Sequence, residues 1–322
     1  ESFGMSLAQR ESTAHVSVLA RALSLSILAL ASSCMLWRPA PSPVVEVSLL
    51  PSTVGQGKTL ILWVSSSGPF KEIKGHLGER ELSFFPLEVA EKKLHRSVVG
   101  IPMDMNPGEH ELEIRFTDFR GRSGTHREVL KVLETEFVEE EIAIPSEKSS
   151  FLTSKYLPEE ARSIREAMQE TEEERLWSGP FIMPLEGRLS SPFGARRVYN
   201  QGTMAGRHRG VDIASKEGVG VLAPNSGRVV LSETMMVHGE TVILDHGQGV
   251  FSIFNHLRER FVEVGENVGK GEMTGSLGET GLATGPHLHW GLYVGGVCVD
   301  PLEWTERAMD QLPLEEVPAG GM

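Results

Sequence analysis

The sequence predicts a mostly β protein in which two β regions are joined by an acidic segment. Glycine is abundant, at 34 of 322 residues, and this favours the many tight turns of antiparallel sheets. Apolar and polar residues alternate in short runs, as in residues 110–116, and a period of two is typical of half-buried strands. Hydrophobic residues make up 40% of the chain and charged residues 23%, so a largely disordered protein is excluded.

An apolar run near the N-terminus predicts export. Residues 22–31 match the length of a secretory signal core, and small residues follow them. Cys34 comes next, in an arrangement similar to a relaxed bacterial lipobox. Two outcomes therefore stay open for residues 1–34, a plain cleaved signal or a lipoprotein signal with a lipid anchor at Cys34, and an ordinary buried helix is the alternative. We expect the protein in the periplasm or cell envelope, with residues 35–43 as a Pro/Ser-rich tether.

Residues 44–135 predict a small β-sandwich of immunoglobulin-like type. Short strand-like runs separated by Gly, Pro and Asn turns indicate this fold; they include VVEVSLL, KTLILWV and HELEIRFTD. The histidines of this region are isolated in sequence, and we expect them to be strand or surface residues rather than ligands. We expect this domain to act as a spacer and as the candidate surface for an envelope protein partner.

Residues 136–180 predict an acidic linker that contains one helix. Thirteen glutamates face four lysines or arginines between Glu134 and Glu174, which accounts for most of the net charge of −13. Pro158 is a good helix start, and apolar residues at helical spacing predict a helix that runs to about Trp177. A solvated linker helix and a lid over a neighbouring cleft are the two interpretations. An acidic chain of this kind argues against sequence-independent nucleic-acid binding.

Four histidines and one aspartate of the second β region predict a metal site. His287 and His289 are two residues apart, so in a strand their side chains point to the same face. His208 and Asp212 are an even number of residues apart, so an extended or bulged backbone can direct both to one point, and His256 follows. Imidazole and carboxylate ligands without thiolates suit zinc in a hydrolytic site. The alternative is a set of scattered sheet-surface histidines without a metal.

The segments around these residues resemble lysostaphin-type (LytM-domain) zinc metallopeptidases. The matching segments include SSPFGARR (190–197), HRGVDIA (208–214), GETG (278–281) and TGPHLHWG (284–291). The resemblance implies a compact antiparallel β-sheet domain over residues 181–304 that acts on peptidoglycan stem peptides or cross-bridges. It implies one zinc ion held by His208, Asp212 and His289, with His256 and His287 as the two active-site histidines that are not ligands.

Two further positions bear on the resemblance. Asn255 stands where members of the family commonly have tyrosine, a departure that leaves the neighbouring histidine in place. His246 lies in a DHG turn that looks structural in the family. Residues 305–322, rich in Glu, Pro and Gly, are expected to form a frayed C-terminal tail.

The predicted function is that of a zinc metalloendopeptidase that hydrolyses peptide cross-links of peptidoglycan with a zinc-activated water. One of His256 and His287 would take and return a proton, and the other would donate to the developing oxyanion; the sequence leaves open which does which. The alternative is a non-catalytic LytM-type activator of a cell-wall amidase, and retention of the zinc ligands separates the two. A protease of secreted proteins is the third interpretation.

Overall fold

The computed structural model of the protein describes most of the chain from Val44 onward. The described residues are 44–89, 92–144, 146, 148, 155–199 and 204–312. The predicted signal, Cys34 and the tether lie outside them. No helix among the described residues is long and apolar enough to span a membrane.

In the described part of residues 44–135, nine strands form two sheets that share a core. The strands are β1 (Val45–Leu50), β2 (Thr53–Gly55), β3 (Thr59–Ser66), β4 (Phe70–Leu77), β5 (Arg80–Leu82), β6 (Phe85–Val89), β7 (Lys92–Gly100), β8 (Gly108–Asp118) and β9 (Ser123–Leu133). Their order is β1-β3-β7-β6 in one sheet and β2-β9-β8-β4-β5 in the other. Leu62 of the first sheet and Leu112 of the second meet in the core between them. The predicted strands are present, and the immunoglobulin-like assignment stays a prediction.

Strand β3 is buried on both faces, which explains its unbroken apolar run of residues 60–64. Leu62 belongs to the core between the two sheets, whereas Ile61 and Trp63 belong to a second core that includes Trp304 near the C-terminus. The Trp304 indole N–H also donates a hydrogen bond to Thr59 Oγ1 at 2.9 Å. The two β regions are therefore packed together, and the described residues belong to one compact unit.

The acidic segment contains a strand as well as a helix. They are β10 (Glu139–Ile142) and α1 (Tyr156–Ala167). The predicted helix end at about Trp177 is wrong, because the backbone after α1 bonds to the C-terminal sheet instead of continuing the helix. The Thr171 hydroxyl and the Glu172 N–H donate to the carboxylate of Asp245 at 2.8 and 2.7 Å.

The remaining strands form the C-terminal β region. They are β11 (Arg188–Ser191), β12 (Arg196–Tyr199), β13 (Met204–Arg207), β14 (Val211–Ala214), β15 (Gly220–Leu222), β16 (Gly227–Met235), β17 (Gly239–Asp245), β18 (Val250–Arg260), β19 (Asn267–Val268), β20 (Met273–Leu277), β21 (His287–Val294) and β22 (Val297–Val299). The large sheet has the order β11-β14-β21-β18-β17-β16-β19, with β20 joining β15 to β18 and β22 on β21. A small sheet has the order β10-β12-β13. The segment predicted as a linker therefore supplies a strand to this region.

The chain after Val299 packs back onto the sheets. Helix α2 (Pro301–Glu306) follows β22, and Met309 is buried. Asp310 pairs with Arg175 at 2.8 Å. The predicted fraying is therefore wrong for residues 305–312, whereas residues 313–322 lie outside the described part of the chain.

Candidate metal centre

Two neighbouring strands of the large sheet bring three predicted ligands together. Asp212 lies in β14 directly opposite His289 of β21, and opposite residues of an antiparallel pair project from the same face. His208 precedes β14, and Gly210 lies between it and Asp212. A Cβ atom at Gly210 would lie 2.4 Å from the carbonyl oxygen of Trp290, so only glycine lets this backbone approach β21 closely enough.

The candidate ligand atoms of these side chains form a small triangle. His208 Nε2 lies 3.0 Å from Asp212 Oδ1 and 3.0 Å from His289 Nδ1, and the remaining side, His289 Nδ1 to Asp212 Oδ1, is 2.9 Å. His208 and Asp212 are buried. Two imidazole nitrogens and one carboxylate oxygen are a donor set that zinc accepts. The three residues could therefore hold one metal ion.

The hydrogen bond of the opposite ring nitrogen supports His208 as a ligand. Its Nδ1 lies 2.8 Å from the carbonyl oxygen of Pro192, and a carbonyl can only accept. We therefore assign the proton to Nδ1, which leaves the Nε2 lone pair for a metal. A backbone carbonyl that fixes the tautomer in this way is a common feature of metal-bound histidine.

The charge states of the other two residues also suit a cation. Burial opposes ionisation of Asp212, but contacts with the rings of His208 and His289 outweigh it and hold the pKa of this carboxyl well below its usual range. Burial lowers the pKa of His289 to about 4. At neutral pH Asp212 is therefore a carboxylate and His289 is neutral, which are the forms that bind metal.

A second pair of histidines lies beside the triangle. The rings of His256 and His287 are 4.9 Å apart between centroids, and His256 is 6.5 Å from His289. His287 Nε2 lies 3.9 Å from Asp212 Oδ1. The five residues predicted from the sequence are thus all brought into one cluster.

Both histidines of this pair donate their Nδ1 proton to a backbone carbonyl. The Nδ1–H of His256 donates to the carbonyl oxygen of Thr280 at 2.8 Å. The Nδ1–H of His287 donates to the carbonyl oxygen of Gly285, also at 2.8 Å. In its neutral form each ring therefore presents an unprotonated Nε2. Burial, followed by the charges of His287 and His289, holds the pKa of His256 well below its usual value, so its neutral form predominates at pH 7.

The backbone at His256 is unusual. Its φ is 64°, in the left-handed region that residues other than glycine seldom occupy. Its N–H donates to the carbonyl oxygen of His238 at 2.9 Å, next to a place where β17 and β18 shift register. This local conformation directs the imidazole toward His287, and such conformations cluster at functional sites.

His246 directly follows β17 and Asn255 lies in β18, and neither belongs to the ligand triangle. Both ring nitrogens of His246 are bonded within the protein, to the Ser226 carbonyl and the Ser252 hydroxyl at 2.8 Å each. Burial lowers the pKa of His246 to about 4. Asn255 is buried and lies opposite His289. These contacts give His246 a structural role.

An open cleft of about 570 Å³ lies beside the triangle. Strand β10 and the next residue form one wall, and residues 284–287 form the other. Asp212 and Arg197 lie between the walls. None of the residues that line this cleft belongs to α1, so the segment that flanks it is β10 rather than the predicted helix.

Sequence reasoning missed three side chains of a polar network beside the cluster, two of which contact predicted ligands. They are Glu140 of β10, Ser191 and Arg197. Ser191 and Arg197 lie in the SSPFGARR segment, but no spacing rule indicates that they reach the metal ligands. Glu140 stands in a run of three glutamates that resembles a solvated charge cluster, and only the pairing of β10 with β12 reveals its position.

Comparisons with known proteins agree with this geometry. Residues 206–301 match the sequence profile of Peptidase family M23. An uncharacterized metalloprotease of Haemophilus influenzae is 36% identical over 132 residues, which are 40% of this chain and 28% of that protein. The peptidoglycan DD-endopeptidase ShyC of Vibrio cholerae is 35% identical over 114 residues, which are 35% of this chain and 26% of ShyC.

Two other similar proteins show how much of this chain resembles known proteins. The murein hydrolase activator EnvC of Escherichia coli is 29% identical over 40% of this chain and 30% of EnvC. The match therefore spans less than a third of the length of these curated relatives.

A crystal structure of a Pseudomonas aeruginosa protein assigned to peptidase M23 has a TM-score of 0.55 at 24% identity and covers 78% of this chain and 93% of its own. That likeness shows a shared fold that extends beyond the C-terminal β region.

Proposed function

We propose that the protein is a zinc metalloendopeptidase that hydrolyses peptide cross-links of bacterial peptidoglycan, because residues 206–301 match the sequence profile of Peptidase family M23. One observation carries the proposal: all five predicted site residues converge beside one open cleft. The names of relatives such as the DD-endopeptidase ShyC support the substrate.

In this proposal His208, Asp212 and His289 hold the metal. Their two imidazole nitrogens and one carboxylate leave a fourth position open, as in catalytic zinc sites. When bound, zinc supplies polarisation of the scissile carbonyl and activation of a water molecule. The chain's part is to hold the three ligand atoms within about 3 Å of one another in a buried pocket.

His256 and His287 move the proton. In its neutral form each presents an unprotonated Nε2, because its Nδ1 proton is donated to a backbone carbonyl. Such a ring accepts a proton from the attacking water and returns it to the leaving amine. A ring that carries protons on both nitrogens can instead donate its Nε2–H to the developing oxyanion. The two rings lie 4.9 Å apart, so both can reach one scissile peptide, and they share these two roles.

The cleft suits an extended peptide. Its volume lies within the roughly 300–1,000 Å³ typical of binding sites, and its walls are β10 and residues 284–287. We infer that a stem-peptide cross-link lies between these walls, with its scissile bond at the metal. If the source is a Gram-negative bacterium, the D-alanyl–diaminopimelate bond is the expected target.

The competing proposal is a non-catalytic activator of a cell-wall amidase, and one similar protein, EnvC, is named a murein hydrolase activator. An activator needs neither a complete ligand set nor two histidines prepared for proton transfer. Here the three ligands converge and the two other histidines carry fixed tautomers. These features favour an enzyme.

Location and partners follow from the same proposal. A peptidoglycan substrate places the protein in the cell envelope, where a lipid anchor at Cys34 would keep it near the wall. The two sheets of residues 44–135 would serve as spacer and as the surface for an envelope protein partner.

Digestion of isolated sacculi by the purified, zinc-loaded protein tests the proposal. We expect soluble muropeptides with fewer cross-links and intact glycan strands, identified by mass spectrometry. The His208→Ala variant, which lacks a predicted ligand, is the negative control. Release of free disaccharides, or cleavage of casein but not of sacculi, would contradict the assignment.

A further inference from the structure

A buried polar network lies on the side of Asp212 that faces away from the ligand triangle. Asp212 directs Oδ1 to the triangle, whereas its Oδ2 accepts a hydrogen bond from Nη2 of Arg197. The side chains of Arg197 and Asp212 are only 14% and 9% exposed. Because the guanidinium binds one carboxylate oxygen, it fixes which oxygen faces the metal position.

Strand β10 completes this network with a carboxylate. Ser191 Oγ donates to Glu140 Oε2 at 2.5 Å and accepts from Arg197 Nη2 at 2.8 Å. Arg197 Nε lies 3.5 Å from the same Glu140 oxygen. Ser191 Oγ also lies 3.2 Å from His208 Nδ1. The network therefore contacts two of the three predicted ligands.

The charges in this network are arranged to suit a cation. A guanidinium alone beside Asp212 would cancel the charge of that carboxylate and repel a metal ion at close range. Glu140 supplies a second negative charge on the other side of Arg197, so the three groups together carry one negative charge. Asp212 thus keeps its attraction for the metal while its orientation is held by Arg197.

The register of β10 on β12 offers an internal comparison. In this parallel pairing Glu139 lies beside Arg196, and Glu140 lies beside Arg197. The first pair is 3.4 Å apart with side chains 63% and 60% exposed. The second is 3.5 Å apart with side chains 23% and 14% exposed. Two chemically matched pairs therefore occupy neighbouring positions, and only the second faces the cluster.

We propose that Glu140 and Arg197 are positioning residues of the metal centre. Strand β10, which lies outside the matched family segment, is then part of the active site rather than part of a linker. This inference rests on the proposed function, because it assumes a metal at the triangle. It predicts that zinc affinity depends on Glu140 and Arg197 and does not depend on Glu139 and Arg196.

The test compares zinc affinity and coordination in four variants of the purified protein. Arg197→Ala and Glu140→Gln remove the inward pair one member at a time, and Arg196→Ala and Glu139→Gln do the same for the outward pair. The zinc dissociation constant is measured by competition with a chromophoric chelator, and the visible spectrum of the Co²⁺ form reports the ligand geometry.

We expect the Arg197→Ala variant to bind zinc about 10- to 100-fold more weakly, the usual effect of losing a group that orients a ligand. Glu140→Gln should show the same direction with a changed Co²⁺ spectrum, and Arg197→Lys should recover part of the affinity. The outward variants should stay within about twofold of the wild type, because exposed pairs contribute little.

The outcomes separate this inference from the proposed function. Wild-type zinc affinity and an unchanged Co²⁺ spectrum in both inward variants would overturn the positioning role and leave the enzyme proposal intact. A wild-type protein that binds no zinc would overturn both. If Arg197→Ala does not fold, the nearly isosteric Glu140→Gln variant still decides the question.

Discussion

A single methyl group at Gly210 is expected to disrupt the candidate metal centre without removing any ligand. In the Gly210→Ala variant the new Cβ would lie 2.4 Å from the carbonyl oxygen of Trp290. That is about 1 Å short of the 3.4 Å at which ordinary contact begins. Neither atom belongs to a flexible side chain, so the backbone of β14 or β21 must move.

The backbone displacement that Gly210→Ala requires is large for a metal site. Asp212 and His289 stand opposite each other on these two strands, with 2.9 Å between their ligand atoms. Metal–ligand distances tolerate only about ±0.2 Å, and a misplacement of about 1 Å can cost about a hundredfold in rate. We therefore expect weaker zinc binding and about a hundredfold lower turnover on peptidoglycan.

The matched control is Gly206→Ala, four residues earlier, where an added Cβ would meet nothing within 4 Å. Zinc content is measured by elemental analysis, and turnover by release of muropeptides from sacculi. If Gly210→Ala keeps wild-type zinc affinity and turnover, the close approach of the two strands does not matter for the site, and the reasoning from this geometry is refuted.

Four further predictions follow from the same contacts. Asp212→Ala should lose zinc almost completely, and full zinc occupancy in that variant would contradict the ligand assignment. His256→Ala should keep zinc but lose at least about a hundredfold in turnover, as expected for a proton-transfer group; wild-type turnover would refute its role. Zinc affinity should fall about tenfold for each pH unit below about 4, because the pKa of His289 in the metal-free site is about 4 and its protonated ring cannot bind metal; an affinity that is the same at pH 5 and pH 3 would count against this. Burial opposes ionisation of Glu160, but hydrogen bonds from His238 and Val237 outweigh this effect and lower the pKa of its carboxyl. The ionised carboxylate therefore stabilises the fold near neutral pH, and this stabilisation is lost as the pH falls through the pKa that Glu160 has in the folded protein. Glu160→Gln should therefore cost more free energy of unfolding at pH 7 than at pH 3, as measured by chemical denaturation, and equal costs at both pH values would contradict this.

The strands and the site cluster were predictable because their signals are local. The alternation of residues 110–116 places Leu112 and Ile114 in the core, as the structure shows. The HxH spacing of His287 and His289 likewise determines that both project from one face of β21. Resemblance to a known family added which histidines are ligands, an assignment that remains a proposal.

The rest depended on partners far away in the sequence. Helix α1 ends before the predicted position because Thr171 and Glu172 donate hydrogen bonds to Asp245, which lies more than seventy residues further on. The sequence of strand β10 looks like a run of solvated charges. Its partner Arg197 lies more than fifty residues away, in β12, so nothing nearby in the sequence indicates the pairing. Such long-range contacts leave no periodic pattern in the local sequence, so composition suggested a linker where the structure has a wall of the cleft.

Cleavage of a purified cross-linked muropeptide dimer tests the central claim most directly. The zinc-loaded protein is incubated with a dimer joined through a D-alanyl–diaminopimelate bond, in H₂¹⁸O and with no amidase present, and the products are weighed by mass spectrometry. The account predicts two monomers with ¹⁸O in the newly formed D-alanine carboxylate, and no products from His256→Ala. An intact dimer in the presence of zinc-loaded wild-type protein would contradict the account.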